Sequence, residues 1–193
     1  MKKLFVLTLV FMLLFLTACS TGGQIMSKFP ENENLSKNLP SDNDRSIANT
    51  QFEQIVNACE TQDRNALKAL FSKKAISETP DIDESIVGLF NFFQGEVLSY
   101  DDWGGPGTYA GKNDDGSGRN WKKLRSSYDL ETSKQKFRFA IETFVLDTAN
   151  PENVGVSSLY IIKAEDSDLA FAYKGDGKWT TGINIINGGK IDA

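Results

Sequence analysis

The sequence predicts an α+β fold in which N-terminal helices pack on a curved antiparallel sheet. Two observations support this prediction. Between residues 46 and 95, apolar side chains recur every three or four positions, as they do on one face of a helix. Between residues 96 and 187 the apolar period changes to two, which is typical of strands with one buried face. Helices and strands that follow one another in separate runs favour α+β over an alternating architecture.

Three amphipathic helices are predicted before residue 96. The apolar face of the first consists of Ala48, Phe52, Ile55, Val56 and Cys59. The second begins at Asp63, a residue type that caps helix N-termini. The third follows Pro80 and ends near Gly95, and its apolar face consists of Ile86, Leu89, Phe90 and Phe93. This register predicts that Cys59 is a buried structural residue.

Strands are predicted at 96–103, 119–132, 136–148, 154–164, 169–173 and 179–185. In the second of these, Leu124, Tyr128 and Leu130 lie on one side. In the third, one face consists of Phe137, Phe139, Ile141, Thr143 and Val145. The turn Gly175-Asp176-Gly177 indicates that the last two strands form a hairpin. We interpret the glycine-rich residues 104–118 as a long connecting loop.

Residues 1–18 have the anatomy of a secretory signal, with a positive start at Lys2 and Lys3 and an apolar run of 13 residues from Leu4 to Leu16 that only Thr8 interrupts. A helix that spans a bilayer needs about 20 apolar residues, so this run is too short to be one. The run ends in Leu16-Thr17-Ala18-Cys19, which resembles the lipobox of bacterial lipoproteins. The resemblance implies that the Cys19 thiol takes a diacylglyceryl group and that cleavage makes Cys19 the mature N-terminus.

The sequence therefore predicts three regions. Residues 1–18 form a lipoprotein signal peptide, residues 19–45 form the lipidated cysteine and a flexible tether, and residues 46–193 form a single domain. The mature chain carries 19 basic and 26 acidic residues, so lipid rather than charge must hold it on an anionic membrane. We expect the protein on the extracytoplasmic face of the cell membrane.

Composition excludes several classes of function. The chain has 26 Asp and Glu, 21 Lys and Arg, and no His. The acidic balance argues against a nucleic-acid partner, which requires a basic face. Without histidine, no Ser–His or Cys–His pair and no imidazole ligand for zinc can exist. The run Asn113-Asp114-Asp115-Gly116 fails as a calcium loop, because position twelve is Leu124 instead of glutamate. We expect no metal and no cofactor.

A resemblance narrows the fold. The stretch from Phe52 to Ser72, the third helix, the long strands and the late Trp179-Thr180-Thr181-Gly182 resemble the cystatin-like roll of the nuclear-transport-factor-two-like superfamily. More narrowly, the chain resembles a family of Gram-positive lipoproteins that carry this domain behind a lipobox. The resemblance implies helices packed into the concave face of the sheet. It does not indicate an activity, because this superfamily includes enzymes, binding modules and dimerisation domains.

Five residues are candidates for a pocket: Asp102, Trp103, Trp121, Tyr128 and Glu142. The aromatic rings would stack a ligand ring or a sugar, or fill the core. The leading hypothesis is a binding module without catalytic turnover, with a small molecule or a protein as its ligand. One alternative is a hydrolase or isomerase in which burial raises the pKa of Asp101, Asp102 or Glu142 so that it acts as a base, and Asp102 is preferred for its place beside Trp103 and the glycine-rich loop. The other alternative is a structural module that forms a homodimer.

Overall fold

A computed structural model of the chain describes residues 42–112, 120–169, 178–187 and 190–192. The α-helices in these ranges are α1 (Asp42–Thr61), α2 (Arg64–Leu70), α3 (Lys73–Glu78) and α4 (Ile82–Phe92), and two short 3₁₀ helices span Pro151–Asn153 and Ala164–Leu169. The strands are β1 (Val97–Asp101), β2 (Gly107–Lys112), β3 (Asn120–Thr132), β4 (Lys136–Asp147), β5 (Gly155–Lys163), β6 (Gly182–Asn187) and β7 (Lys190–Asp192). The predicted α+β fold, with N-terminal helices packed on a mostly antiparallel sheet, is confirmed.

Several predicted features lie outside the described residues: the signal peptide, Cys19, the tether up to residue 41, the turns at 113–118 and 175–177, and the strand at 169–173 except for Leu169. No helix within the described ranges is long and apolar enough to cross a bilayer. Helix α1 begins at Asp42, four residues before the domain start that the sequence predicts at residue 46. Residues 42–45 are therefore helical and do not belong to the tether.

The sheet has the order β1-β3-β4-β5-β6-β7, and β2 also pairs with β3. Strand β3 is long enough for two partners, because β1 pairs with its C-terminal part, 129–132, and β2 with its N-terminal part, 120–125. The prediction of a loop throughout 104–118 is wrong, since its glycines are compatible with an edge strand that needs only one neighbour. Strand β6 corresponds to the predicted strand 179–185, and its described partners are β5, in parallel, and β7.

The main core lies between the helices and one face of the sheet. Phe52 of α1 stacks on Tyr128 of β3 with ring centroids 3.9 Å apart, and meets Phe139 of β4 edge to face at 5.4 Å. All three side chains are fully buried. The predicted apolar faces of the first and third helices are buried as well. Aromatic side chains thus fill the space between α1 and the sheet at this point.

Local sequence sets where the short helices begin. Asp63 caps α2 as predicted, because its carboxylate accepts a hydrogen bond from the Ala66 amide at 2.9 Å. The sequence pattern does not predict α3, which Ser72 caps through a hydrogen bond from the Ala75 amide to its hydroxyl at 3.0 Å. Cys59 is buried as predicted, and burial raises the pKa of its thiol to about 12. These contacts give the helices fixed positions over the sheet.

Candidate functional site

The structure divides the five predicted site residues between the two faces of the sheet. Tyr128 of β3 faces the core, as do Phe139 and Ile141 of β4. Because neighbours along a strand point to opposite faces, Glu142, which follows Ile141, faces away from the core. Asp102 lies on the helix side with Tyr128. Trp103 and Trp121 lie on the side of Glu142. The five residues therefore do not line one pocket.

Asp102 and Tyr128 belong to a buried network that ties α1 to the sheet. Arg45 donates to both carboxylate oxygens of Asp102, from Nε at 2.6 Å and from Nη2 at 2.8 Å. Asn49 donates to the same carboxylate at 3.2 Å and accepts a hydrogen bond from the Tyr128 hydroxyl at 3.1 Å. Residues four apart share a helix face, which explains why Arg45 and Asn49 reach one carboxylate.

The carboxylate of Asp102 is ionised and fully engaged. Burial acts to raise the pKa of Asp102, but the hydrogen bonds from Arg45 and Asn49 outweigh it and hold this pKa below its ordinary value. The Gly104 amide donates a further hydrogen bond at 3.2 Å. A general base needs a pKa near the operating pH. Asp102 therefore lacks the raised pKa that the hydrolase or isomerase alternative requires, and its contacts fit a structural role.

Further polar contacts hold α1. Asp44 is buried, pairs with Lys122 of β3 and accepts a hydrogen bond from the Thr108 hydroxyl at 3.0 Å. The Tyr100 hydroxyl donates to Glu53 at 2.9 Å, and burial together with this hydrogen bond raises the pKa of Tyr100. Two ion pairs thus hold the first turn of α1. Asp44 supplies the anion of one pair, and Arg45 supplies the cation of the other.

The outer face of the sheet, which points away from the helices, carries aromatic rings beside ion pairs. Arg138 donates to both oxygens of Asp129, from Nε at 2.8 Å and from Nη2 at 3.1 Å. Its guanidinium lies 4.5 Å from the ring centroid of Trp103, which is 49% exposed. Trp121 lies against Gly111, where a Cβ atom would come within 2.9 Å of the indole. The Trp103 ring therefore lies against the Arg138 guanidinium, and the Trp121 ring lies against Gly111.

Glu142 lies at the centre of a group that we call the outer-face cluster. The cluster consists of Tyr109, Lys123, Arg125, Glu142, Ser157 and Trp179. The Glu142 side chain is only 9% exposed. It accepts hydrogen bonds from Arg125 Nε at 2.7 Å and from the Ser157 hydroxyl at 3.2 Å, and Lys123 Nζ lies 3.1 Å from its Oε2. A buried carboxylate thus joins two cations and a hydroxyl on the face of the sheet opposite α1 and α4.

Aromatic rings flank the arginine of this cluster. The guanidinium of Arg125 lies 4.9 Å from the ring centroid of Tyr109 and 5.2 Å from that of Trp179, distances at which arginine stacks favourably on aromatic faces. Trp179 meets Tyr160 edge to face at 5.6 Å, and the Tyr160 hydroxyl accepts a hydrogen bond from the Thr180 amide at 2.6 Å. These contacts fix Trp179 at the edge of the cluster.

A cavity of about 180 Å³ opens beside Glu142, between the sheet and α3. The residues that line it include Phe144, Ser157, Trp179 and Thr181. Pockets for drug-sized ligands measure about 300–1,000 Å³, so this volume suits one small ring or one side chain. The cavity and the outer-face cluster share Glu142, Ser157 and Trp179, and together they are the candidate binding site.

The sequence pattern does not single out Lys123, Arg125 or Ser157 of the cluster. A signal was present, because Lys123 and Arg125 alternate along β3 just as Arg138 and Glu142 fall on one face of β4. Charges at alternate positions of two long strands indicate a common charged face. The register that sets Arg125 opposite Glu142 depends on the pairing of the two strands, which the pattern alone does not provide.

The fold and the site define the protein as an α+β domain with a packed, helix-facing core and a polar and aromatic cluster on the outer face of its sheet. The pattern of a family described as a domain of unknown function (DUF5104) matches residues 54–164. The match covers more than half of the chain, and the chain belongs to this family. It includes Arg125 and Glu142 but ends before Trp179. No curated protein matches the sequence.

Proposed function

We propose that this protein is a lipid-anchored, extracytoplasmic binding module whose binding surface is the outer-face cluster. The observation that carries the binding role is the placement of the buried Glu142 carboxylate and two cations beside aromatic rings and an open cavity. Binding sites typically combine aromatic walls with a few fixed polar groups that orient the ligand. The cluster has both features, and the contacts of Trp179 and Glu142 hold them in place before a ligand arrives.

The N-terminal sequence supports the anchor. A positive start, a short apolar run and the segment Leu16-Thr17-Ala18-Cys19 occur in the order that bacterial lipoproteins use. Each buried CH₂ group of an attached chain contributes about 0.8 kcal/mol, so two acyl chains hold a protein stably at a membrane. The resemblance to lipoproteins with a roll domain supports the same location.

The two alternatives receive less support from the geometry. Asp102 is held ionised by Arg45, which opposes its use as a base in a hydrolase or isomerase. The outer face carries charges at Arg125, Arg138 and Glu142, whereas the cores of protein interfaces are depleted of charged residues. A binding surface for a polar ligand agrees better with this charge distribution than a homodimer interface does.

The anchor is tested by Cys19→Ala in the full chain, with the protein located by cell fractionation. We expect this variant to be released to the medium or to remain uncleaved, because the thiol that would carry the lipid is absent. Cys59→Ala, which removes the buried thiol, is the matched control and should remain in the membrane fraction. Normal cleavage and membrane retention of Cys19→Ala would contradict the anchor.

The binding role is tested by thermal unfolding in the presence of monosaccharides, aromatic acids, phosphate esters and short peptides. A ligand at 100 times its Kd is expected to raise Tm by about 5 °C or more without being consumed. The rise should disappear in Trp179→Ala and persist in Trp103→Ala, which removes an exposed indole from the same face. A product formed from the added compound, or a rise that survives Trp179→Ala, would speak against a binding module at the cluster.

A further inference from the structure

Two arginines on the outer face are placed alike but paired differently. Each stacks on an aromatic ring and each has a carboxylate partner on the neighbouring strand. Arg138 uses both Nε and Nη2 on Asp129, which closes a bidentate pair. Arg125 donates to Glu142 through Nε alone. Neither Nη atom of Arg125 has a hydrogen-bond partner within the part of the chain that the structure describes.

The Nη1 and Nη2 groups of Arg125, which Glu142 leaves unused, form a pair of parallel donors. With Nε occupied by Glu142, the Nη1 and Nη2 groups remain, and arginine uses such a fork to bind carboxylate or phosphate oxygens bidentately. The rings of Tyr109 and Trp179 restrict the guanidinium plane, so less entropy is lost when a ligand binds. The Arg125 side chain is 34% exposed, which leaves it accessible from solvent.

The local charge favours an anion. Lys123 and Arg125 face the single carboxylate of Glu142, so the cluster carries a net positive charge in a chain whose overall net charge is −5. An anionic group bound to Arg125 would neutralise this excess. The ring of Trp179 and the adjoining cavity of about 180 Å³ offer an apolar wall and space for one ring.

We propose that Arg125 recognises an oxyanion, and that the ligand is a small molecule in which a phosphate ester or a carboxylate is attached to a flat ring. The oxyanion accepts hydrogen bonds from the Nη donors of Arg125 while the ring packs against Trp179. Lys123 adds charge at the same place. This inference rests on the proposed binding role and names the class of ligand that the cluster takes.

The test is isothermal titration calorimetry of the full-length mature chain in detergent, with phenyl phosphate, benzoate, inorganic phosphate and the neutral phenyl glucoside as probes. We expect phenyl phosphate or benzoate to bind, and whichever binds more tightly identifies the oxyanion. Phenyl phosphate should bind more tightly than inorganic phosphate if the ring contributes. Arg125→Lys keeps the charge but removes the fork, and should weaken binding at least about tenfold, as the loss of a charge-assisted hydrogen bond does.

Arg138→Lys is the matched control, because the fork of Arg138 is already used by Asp129, and its affinity should change less than about twofold. Equal binding by Arg125→Lys and the unchanged protein would overturn the proposal.

If Arg125→Lys does not fold, a competition experiment on the unchanged protein tests the proposal: inorganic phosphate must displace the aromatic oxyanion and phenyl glucoside must not. Phenyl glucoside binding that depends on Trp179 would overturn the oxyanion class while leaving the binding role intact. Silence of all four probes would overturn this inference alone, because the wider panel tests the binding role separately.

Discussion

Replacing Asp102 by asparagine is expected to lower the free energy of unfolding by about 2 kcal/mol at pH 7, the contribution of a hydrogen bond to a charged group. The substitution keeps the size of the side chain and one acceptor oxygen, but removes the charge that Arg45 contacts at 2.6 and 2.8 Å. The Asp102 side chain is only 9% exposed, so water cannot fully replace the lost interaction. Chemical denaturation of both proteins measures the change.

This loss is expected to depend on pH, and the lowered pKa of Asp102 fixes its direction. A carboxyl group whose pKa is lower in the folded than in the unfolded chain stabilises the fold above its unfolded pKa of about 4. That contribution fades as the pH falls through the folded pKa. The difference between the unchanged protein and Asp102→Asn should therefore be complete at pH 7 and shrink below about pH 4. A difference that stays constant down to pH 3 would contradict the ionic origin.

Asp101→Asn is the matched control for this experiment. Asp101 is exposed, and its carboxylate accepts a hydrogen bond from the Trp103 amide at 2.8 Å, which asparagine can also accept. The change in its free energy of unfolding should remain within about 0.5 kcal/mol. Similar losses in both variants would mean that the segment, rather than the Asp102–Arg45 pair, is responsible. A double-mutant cycle with Arg45→Met then isolates the energy of the pair.

The elements that the sequence predicts well are those whose burial follows a local period. The faces of α1 and α4 and the inward residues of β3 and β4 are buried as the apolar spacing indicates. In β4 the agreement extends through Thr143 and ends at Val145, where a register shift in the pairing with β3 interrupts the alternation. Periodicity can report burial because it needs no knowledge of which partner covers the face.

The start of α1 could not be predicted in the same way. Its first turn, Asp42 to Arg45, is polar, and the apolar period begins only at Ala48. Tertiary contacts hold this turn in place. Asp44 pairs with Lys122, and Arg45 pairs with Asp102, across separations of 78 and 57 residues. These pairs form only in the folded protein. In the sequence alone, the polar first turn of α1 therefore cannot be distinguished from the polar tether that precedes it.

The candidate site shows the same limit. Asp102 and Glu142 are both carboxylates near aromatic residues, which is why the sequence groups them. Their separation depends on strand pairing, since the β3–β4 register sets Glu142 opposite Arg125 on the outer face while Asp102 reaches α1 on the other side. Similarly, the parallel pairing of β5 with β6 requires a crossover that no local turn signal encodes.

Gly155→Ala is expected to have the largest effect on stability, a loss of about 4 kcal/mol in the free energy of unfolding. Gly155 begins β5 with φ +125°, a conformation that side chains rarely adopt, and such strain costs about 1–3 kcal/mol. A Cβ atom there would lie 2.8 Å from the Ser72 amide nitrogen and 3.1 Å from the Leu70 carbonyl oxygen. Overpacking of this kind adds about 1–3 kcal/mol. Thermal and chemical unfolding measure the sum.

The contacts of Gly155 also connect its effect to the candidate site. Relief of the clash requires a backbone shift at Ser72, whose amide donates to the Val156 carbonyl at 2.9 Å and so joins the start of α3 to β5. Ser72 and Ser157 both line the cavity beside Glu142. We therefore expect Gly155→Ala to weaken the binding of any ligand that contacts Trp179, even under conditions where the variant remains folded.

Gly104→Ala separates the two causes of the Gly155 effect. Gly104 also has a positive φ, +86°, but no atom lies within 4 Å of the position that its Cβ would take. Its substitution should therefore cost only the conformational strain, about 1–2 kcal/mol. If both variants lose the same free energy, the contact with Ser72 contributes nothing and the junction between α3 and β5 is free to shift. A larger loss at Gly155 means that this junction is rigid, as a preformed cavity wall requires.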